Sequence, residues 1–198
     1  MPDADRDPMA LNQSAAEKIK VWDPMVRVFH WSLVISFTIC YLTQETEYEL
    51  HINVGYAVLG LMVFRIFWGF SGPTHARFSD FVYPPQTTLP YLMAILKGHP
   101  RRYLGHDPAG GMMILATLAC LIVVAVSGIA LDAAENRAGP LADTSLFRYT
   151  HLIAETHEAS TTVALVLIAM HLLGVLVSSR IHGENLVLTM ITGKKRVD

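Results

Sequence analysis

The stretch Thr156-HEASTTVALVLIAMHLLGVLVS-Ser179 decides the fold. It is an apolar run long enough to cross a bilayer, and it carries His157 near its start and His171 near its end. Ionisable side chains inside a span are costly and mark function. At a rise of about 1.5 Å and a turn of about 100° per residue, their fourteen-residue spacing sets the two imidazoles roughly 21 Å apart along the axis, facing nearly the same side. Ser160, Ala164, Ile168 and Gly174 lie between or just beyond them, so the face is mostly small and could admit a flat group. A b-type haem is flat, and neutral imidazole is a common axial ligand for it.

The rest of the chain supports a membrane setting. Of 198 residues, 52% are hydrophobic, and the mean hydropathy is +0.37, which is too apolar for an ordinary soluble domain. Cys40 and Cys120 stand inside apolar runs, outside any metal-binding or C-x-x-C-H pattern, so covalent haem and structural zinc are not expected. Residues 1–20 show no apolar core or cleavage site of a secretory signal and read as a flexible cytoplasmic tail.

Four segments can span: 26–43, 51–70, 111–131 and 154–179. The predicted architecture is an all-α membrane protein, a four-transmembrane-helix bundle forming one domain over 21–198. Basic residues set the topology, because cytoplasmic flanks are enriched in Lys and Arg. Arg6, Lys18, Lys20 and Arg27 precede span one. Arg65, Arg77, Lys97, Arg101 and Arg102 cluster from the end of span two through the loop 71–107. Arg180, Lys194, Lys195 and Arg196 follow span four. Only Arg137 and Arg148 fall on the other side, beside Glu45, Glu47, Glu49, Asp132, Glu135, Asp143 and Glu155. Both termini are therefore expected in the cytoplasm. Within the loop, Pro84-Pro85 followed by an apolar-rich run predicts a short interfacial helix, and Gly105-His106-Asp107-Pro108 predicts the turn that starts span three.

His30 lies one turn inside the cytoplasmic start of span one, and His51 lies near the outer start of span two. Antiparallel neighbours then yield two pairs at matched depth, His51 with His157 on the outside and His30 with His171 on the inside. Four histidines at two levels fit two non-covalent bis-histidine haems b. Arg65 lies fourteen residues beyond His51, at the inner level on the same face, where a haem propionate would satisfy its guanidinium. Gly55, one turn after His51, leaves room beside the outer pair. His151 is out of phase with His157 and is not expected to ligate. His75, His99, His106 and His182 read as surface residues, Glu158 as a solvated carboxylate, and Trp22, Trp31 and Trp68 as an interfacial aromatic belt. A haem-free proton or ion transporter, with the histidines and Arg65 as a relay, is the reading from a different class.

Several stretches together resemble the bacterial cytochrome b561 family, which includes the b-type subunit of nickel-iron hydrogenases. They are Val21-Trp22-Asp23 with Arg27-Val28-Phe29-His30-Trp31, His51-Ile52-Asn53-Val54-Gly55-Tyr56, Arg65-Ile66-Phe67-Trp68-Gly69-Phe70, and His157-Glu158 with Met170-His171. Tyr103-Leu104-Gly105-His106-Asp107-Pro108 and the segment from Glu184 to Arg196 look like the branch often found with c-type cytochromes. The resemblance covers about residues 20–198. It implies a di-haem protein of the bacterial cytoplasmic membrane, with His30, His51, His157 and His171 as ligands, exchanging electrons with ubiquinone or menaquinone. A periplasmic c-type cytochrome or other redox protein is the expected partner, alongside membrane lipid and without nucleic acid. A homodimer and a subunit of a larger complex are both compatible with it. One member type oxidises superoxide and reduces ubiquinone, and carries Lys and His about two turns after the last ligand. This chain has Val177-Ser178-Ser179-Arg180 there. A third role within the family is the membrane anchor of a hydrogenase-like oxidoreductase.

Overall fold

The computed structural model describes residues 18–196, so most of the expected tail lies outside the described residues. Its last three residues form strand β1 (Lys18–Lys20), which pairs antiparallel with β2 (Lys194–Arg196). Hydropathy could not anticipate this ribbon, because each strand is held only by its distant partner. Val21 N and Trp22 N extend the join by donating to Gly193 O at 2.9 and 3.1 Å. The two ends of the described chain therefore meet at one end of the bundle. That end carries most of the basic residues and is termed inner; the acidic end is termed outer.

Four long helices build the bundle: α1 (Pro24–Thr43), α2 (Tyr48–Ser71), α5 (Pro108–Asn136) and α6 (Thr150–His182). All four are long and apolar enough to cross a membrane. Each overlaps a predicted span and runs past it, and at the starts of α1 and α5 a capping side chain sets the end. Asp23 caps α1 ahead of Pro24, its Oδ2 accepting from Met25 N at 3.1 Å and Val26 N at 3.3 Å. The same oxygen accepts from Trp68 Nε1 at 2.9 Å, which ties the start of α1 to the end of α2. Asp107 caps α5 by accepting from Gly110 N at 2.8 Å, as the predicted turn requires.

Between α2 and α5 the chain makes a 3-10 turn (Thr74–Ala76), α3 (Phe78–Phe81) and α4 (Pro85–Leu96), the last being the predicted short helix. Leu89, Leu92, Met93 and Leu96 of α4 are exposed, as suits a helix lying on an interface. The segment is seated firmly under the bundle. Phe81 is fully buried, and a Cβ at Gly111 would collide with the Phe81 carbonyl oxygen, so only glycine lets α5 approach α3 this closely. The chain ends in α7 (Leu186–Thr192) before β2.

The bundle closes unevenly. α6 packs along α5, α1 along α2, and α2 on α5, whereas no comparable packing joins α6 to α1 or α2. One residue from each spanning helix joins a buried apolar cluster: Phe29, Met62, Leu121 and Ala164. Ala164 is seven residues from both His157 and His171 and is 0% exposed. Its small side chain lets the neighbouring helices close over this point of α6. The outward faces remain apolar, with Ile35, Leu42, Phe67, Val163, Leu173 and Leu176 exposed. Such faces suit a lipid surround.

Candidate functional site

Two histidine pairs lie where α6 stands off from α1 and α2. The ring centroids of His51 and His157 are 6.4 Å apart with planes at 84°. Those of His30 and His171 are also 6.4 Å apart, with planes at 52°. Two imidazoles that held one metal ion between them, with metal–nitrogen bonds of about 2 Å and about 1.1 Å from nitrogen to ring centre, would have ring centres about 6.2 Å apart. Both pairs therefore have the separation that bis-histidine ligation needs.

The outer pair is oriented by the backbone. His51 Nδ1 lies 2.9 Å from Cys40 O. His157 Nδ1 lies 3.0 Å from Val124 O and 3.1 Å from Ser127 Oγ. An N–H donated to a carbonyl fixes the tautomer and leaves Nε2 as the free lone pair, the arrangement metal-ligating histidines use. A Cβ at Gly128 would stand 3.0 Å from His157 Cε1, so this glycine gives the ring its place. The pair opens into a cavity of ≈ 430 Å³ lined by Gly55, Tyr56, Gly128 and Thr161, with Gln44, Glu45, Asp132 and Glu158 also among its walls. That volume is in the range of small-molecule sites, about 300–1,000 Å³. Nothing lies within 4 Å of a Cβ at Gly55, in keeping with the room expected there.

The inner pair differs in kind. Among the described residues, four enclosed side-chain nitrogens have no hydrogen-bond partner: Arg27 Nε, His30 Nδ1, Arg65 Nη1 and His106 Nδ1. All four belong to the inner end. Arg65 is only 3% exposed, its guanidinium carbon 5.0 Å from the Phe78 ring centre and 5.8 Å from that of Phe81. An unpartnered buried guanidinium demands an anion, and a group with two carboxylates supplies what this end lacks. His30 is half-buried, and His171 is the most exposed of the four paired histidines.

The other histidines divide. His151 is exposed beside Glu155, at 3.6 Å, and His99 bonds its Nδ1 to Lys97 O at 2.8 Å on the surface. His75 pairs with Asp80 at 2.9 Å. His106 departs from the expected surface position: its Nδ1 is enclosed, and its ring centre lies 4.5 Å from that of Trp22 and 5.0 Å from that of Phe81. The aromatic belt needs correction too. Trp22 is buried and donates Nε1 to Thr189 Oγ1 at 3.4 Å, while Trp68 serves Asp23. Arg102 pairs with Glu184 at 3.5 Å. The buried Lys195 donates Nζ to Tyr103 O at 3.3 Å, and burial pushes its pKa down.

A four-helix membrane bundle with histidine pairs at two depths defines a membrane cytochrome of b type. The family described as prokaryotic cytochrome b561 matches residues 21–193, and the chain belongs to it. Membership makes it a bacterial membrane protein that binds haem b and transfers electrons. The comparison with curated proteins returns no match.

Proposed function

We propose that the chain is a di-haem cytochrome b that carries electrons across the cytoplasmic membrane between the quinone pool and a periplasmic redox partner such as a c-type cytochrome. The observation that carries this reading is the repeated 6.4 Å centroid separation of His51–His157 and His30–His171, at two depths on one helix. His51 and His157 hold the outer group, His30 and His171 the inner one, and Arg65 neutralises an inner propionate. Haem b, when bound, supplies a one-electron Fe(III)/Fe(II) couple at each level.

The protein's part is fixed geometry. Fourteen residues of α6 set the two levels roughly 21 Å apart, and Phe29, Met62, Leu121 and Ala164 knit the four spanning helices together. Cys40 O and Val124 O hold the outer imidazoles so that neither ring must turn when the charge at its Nε2 side changes. The excess of Lys and Arg at the inner end supports a cytoplasmic position for both termini. The acidic outer lip suits a basic protein partner better than an anion such as superoxide. Purified protein assayed by pyridine haemochrome should contain two extractable haems b per chain. Quinol should reduce both haems, and a c-type cytochrome should exchange electrons with them. A ratio near one, or haem that survives acid-acetone extraction, would sink the reading.

A further inference from the structure

His106 belongs to the segment between α2 and α5, yet it is built into the inner end of the bundle. Its ring is packed on Trp22 and Phe81, and Tyr83 Oη donates to its carbonyl oxygen at 3.5 Å. Desolvation by burial, then the charge of Arg65, pushes its pKa down to about 3, with Lys195, His75 and His171 acting in the same direction. The ring is therefore neutral near pH 7 and carries one N–H and one lone pair. Its enclosed Nδ1 has no partner in the protein, and an enclosed nitrogen without a hydrogen bond is costly.

Elimination narrows its role. Of the basic groups that act on His106, Lys195 is engaged by Tyr103 O and His75 by Asp80. Arg65 Nη1 shares the same lack of a protein partner. The two side chains flank one ring, Arg65 at 5.8 Å from the Phe81 centre and His106 at 5.0 Å. Of the four unpartnered nitrogens at the inner end, these two share contact with the Phe81 ring, and two donors match the two carboxylates of one haem.

We infer that His106 is a haem-binding residue, its Nδ1–H donating to a propionate of the inner haem alongside Arg65, so that the 72–107 segment forms a wall of the inner site. The inference rests on the di-haem reading. Seating this segment through Phe81 and Gly111 then has a functional purpose: it brings a neutral donor to a carboxylate near the inner iron. With the donor lost, negative charge stays concentrated beside the iron and the oxidised state is favoured.

The test compares holoprotein of the wild type, H106F and H106Q by redox titration and by resonance Raman of the propionate bending mode. In H106F the inner midpoint should fall and the inner propionate mode should shift, with the outer haem unchanged. In H106Q, whose amide can donate from a similar place, the midpoint should return toward wild type. An inner midpoint and propionate mode that ignore H106F would overturn the inference and leave Arg27 Nε as the second donor. If H106F does not accumulate, wild type and H106A loaded with haem carrying 13C-labelled propionates decide by redox-difference infrared, since a carboxylate stretch identical in the two overturns it. A wild-type chain lacking any haem that H30A removes would overturn both this inference and the di-haem reading, and haem content distinguishes that case from the others.

Discussion

His51 Nδ1 lies 2.9 Å from the carbonyl oxygen of Cys40, in the last turns of the preceding helix. The same device recurs at His157 with Val124 O, whereas His30 Nδ1 is enclosed without a partner. Donation of the ring N–H makes an imidazole a stronger ligand and stabilises the oxidised iron. Nearby charge acts in the same sense, with Glu45 and Asp132 at the outer cavity and buried Arg65 at the inner end. The outer haem should therefore have the lower midpoint, by on the order of one tenfold step, about 60 mV for one electron. A potentiometric titration with the outer component assigned by His157→Ala checks the order, and an outer midpoint above the inner one contradicts the argument.

Ligand substitutions should separate the levels. His51→Ala or His157→Ala should remove the outer haem and spare the inner, and His30→Ala or His171→Ala should do the reverse. The two 6.4 Å separations dictate this pairing. Loss of the same spectral component in His51→Ala and His171→Ala would show the pairing to be wrong.

Arg65→Leu should cost the inner site on the order of 3 to 5 kcal/mol, the usual result of removing one member of a buried charge pair. Weaker retention of the inner haem, or a fall in its midpoint where it is retained, should follow, because the lost cation had opposed the oxidised iron. A haem-replete variant with an unchanged inner midpoint would mean that the guanidinium serves another group.

Gly128→Val tests the outer cradle. A Cβ there would already stand 3.0 Å from His157 Cε1, and the added methyls overpack a site whose misfit costs about 1 to 3 kcal/mol. Outer haem content or its low-spin spectrum should change while the inner component stays intact. An unaltered outer spectrum would show that the ring can move aside freely.

What the sequence could disclose was set by the range of each interaction. Fourteen-residue spacings within one helix survive folding unchanged, so His157 with His171 and His51 with Arg65 could be placed by counting. Antiparallel depth then paired His30 and His51 with them. Tertiary seating was not legible. His106 reads as a surface residue until Phe81 meets Gly111, and Trp22 reads as a lipid anchor until Thr189 claims its N–H group. The β1–β2 ribbon joins residues at opposite ends of the chain, and only a strand's partner can disclose it. The packing of Ala164 was not legible for a related reason: it depends on Phe29, Met62 and Leu121 from three other helices.

The outer end should recruit its partner through Glu45, Glu47 and Glu49. All three are exposed in the turn and first residues leading to His51, and Glu45 also lines the outer cavity. A protein docked there would have a short path to the outer haem. Exposed charges act mainly on encounter rate and are screened over about 10 Å at 0.1 M salt. Replacing the three by Gln should slow electron exchange with a lysine-rich c-type cytochrome at low ionic strength and change it little at high salt. Superoxide is an anion, so its reaction should be no slower with the neutralised surface. Stopped-flow rates for both donors across a salt series distinguish the two readings, and a cytochrome rate indifferent to both salt and the three substitutions would remove this surface from consideration.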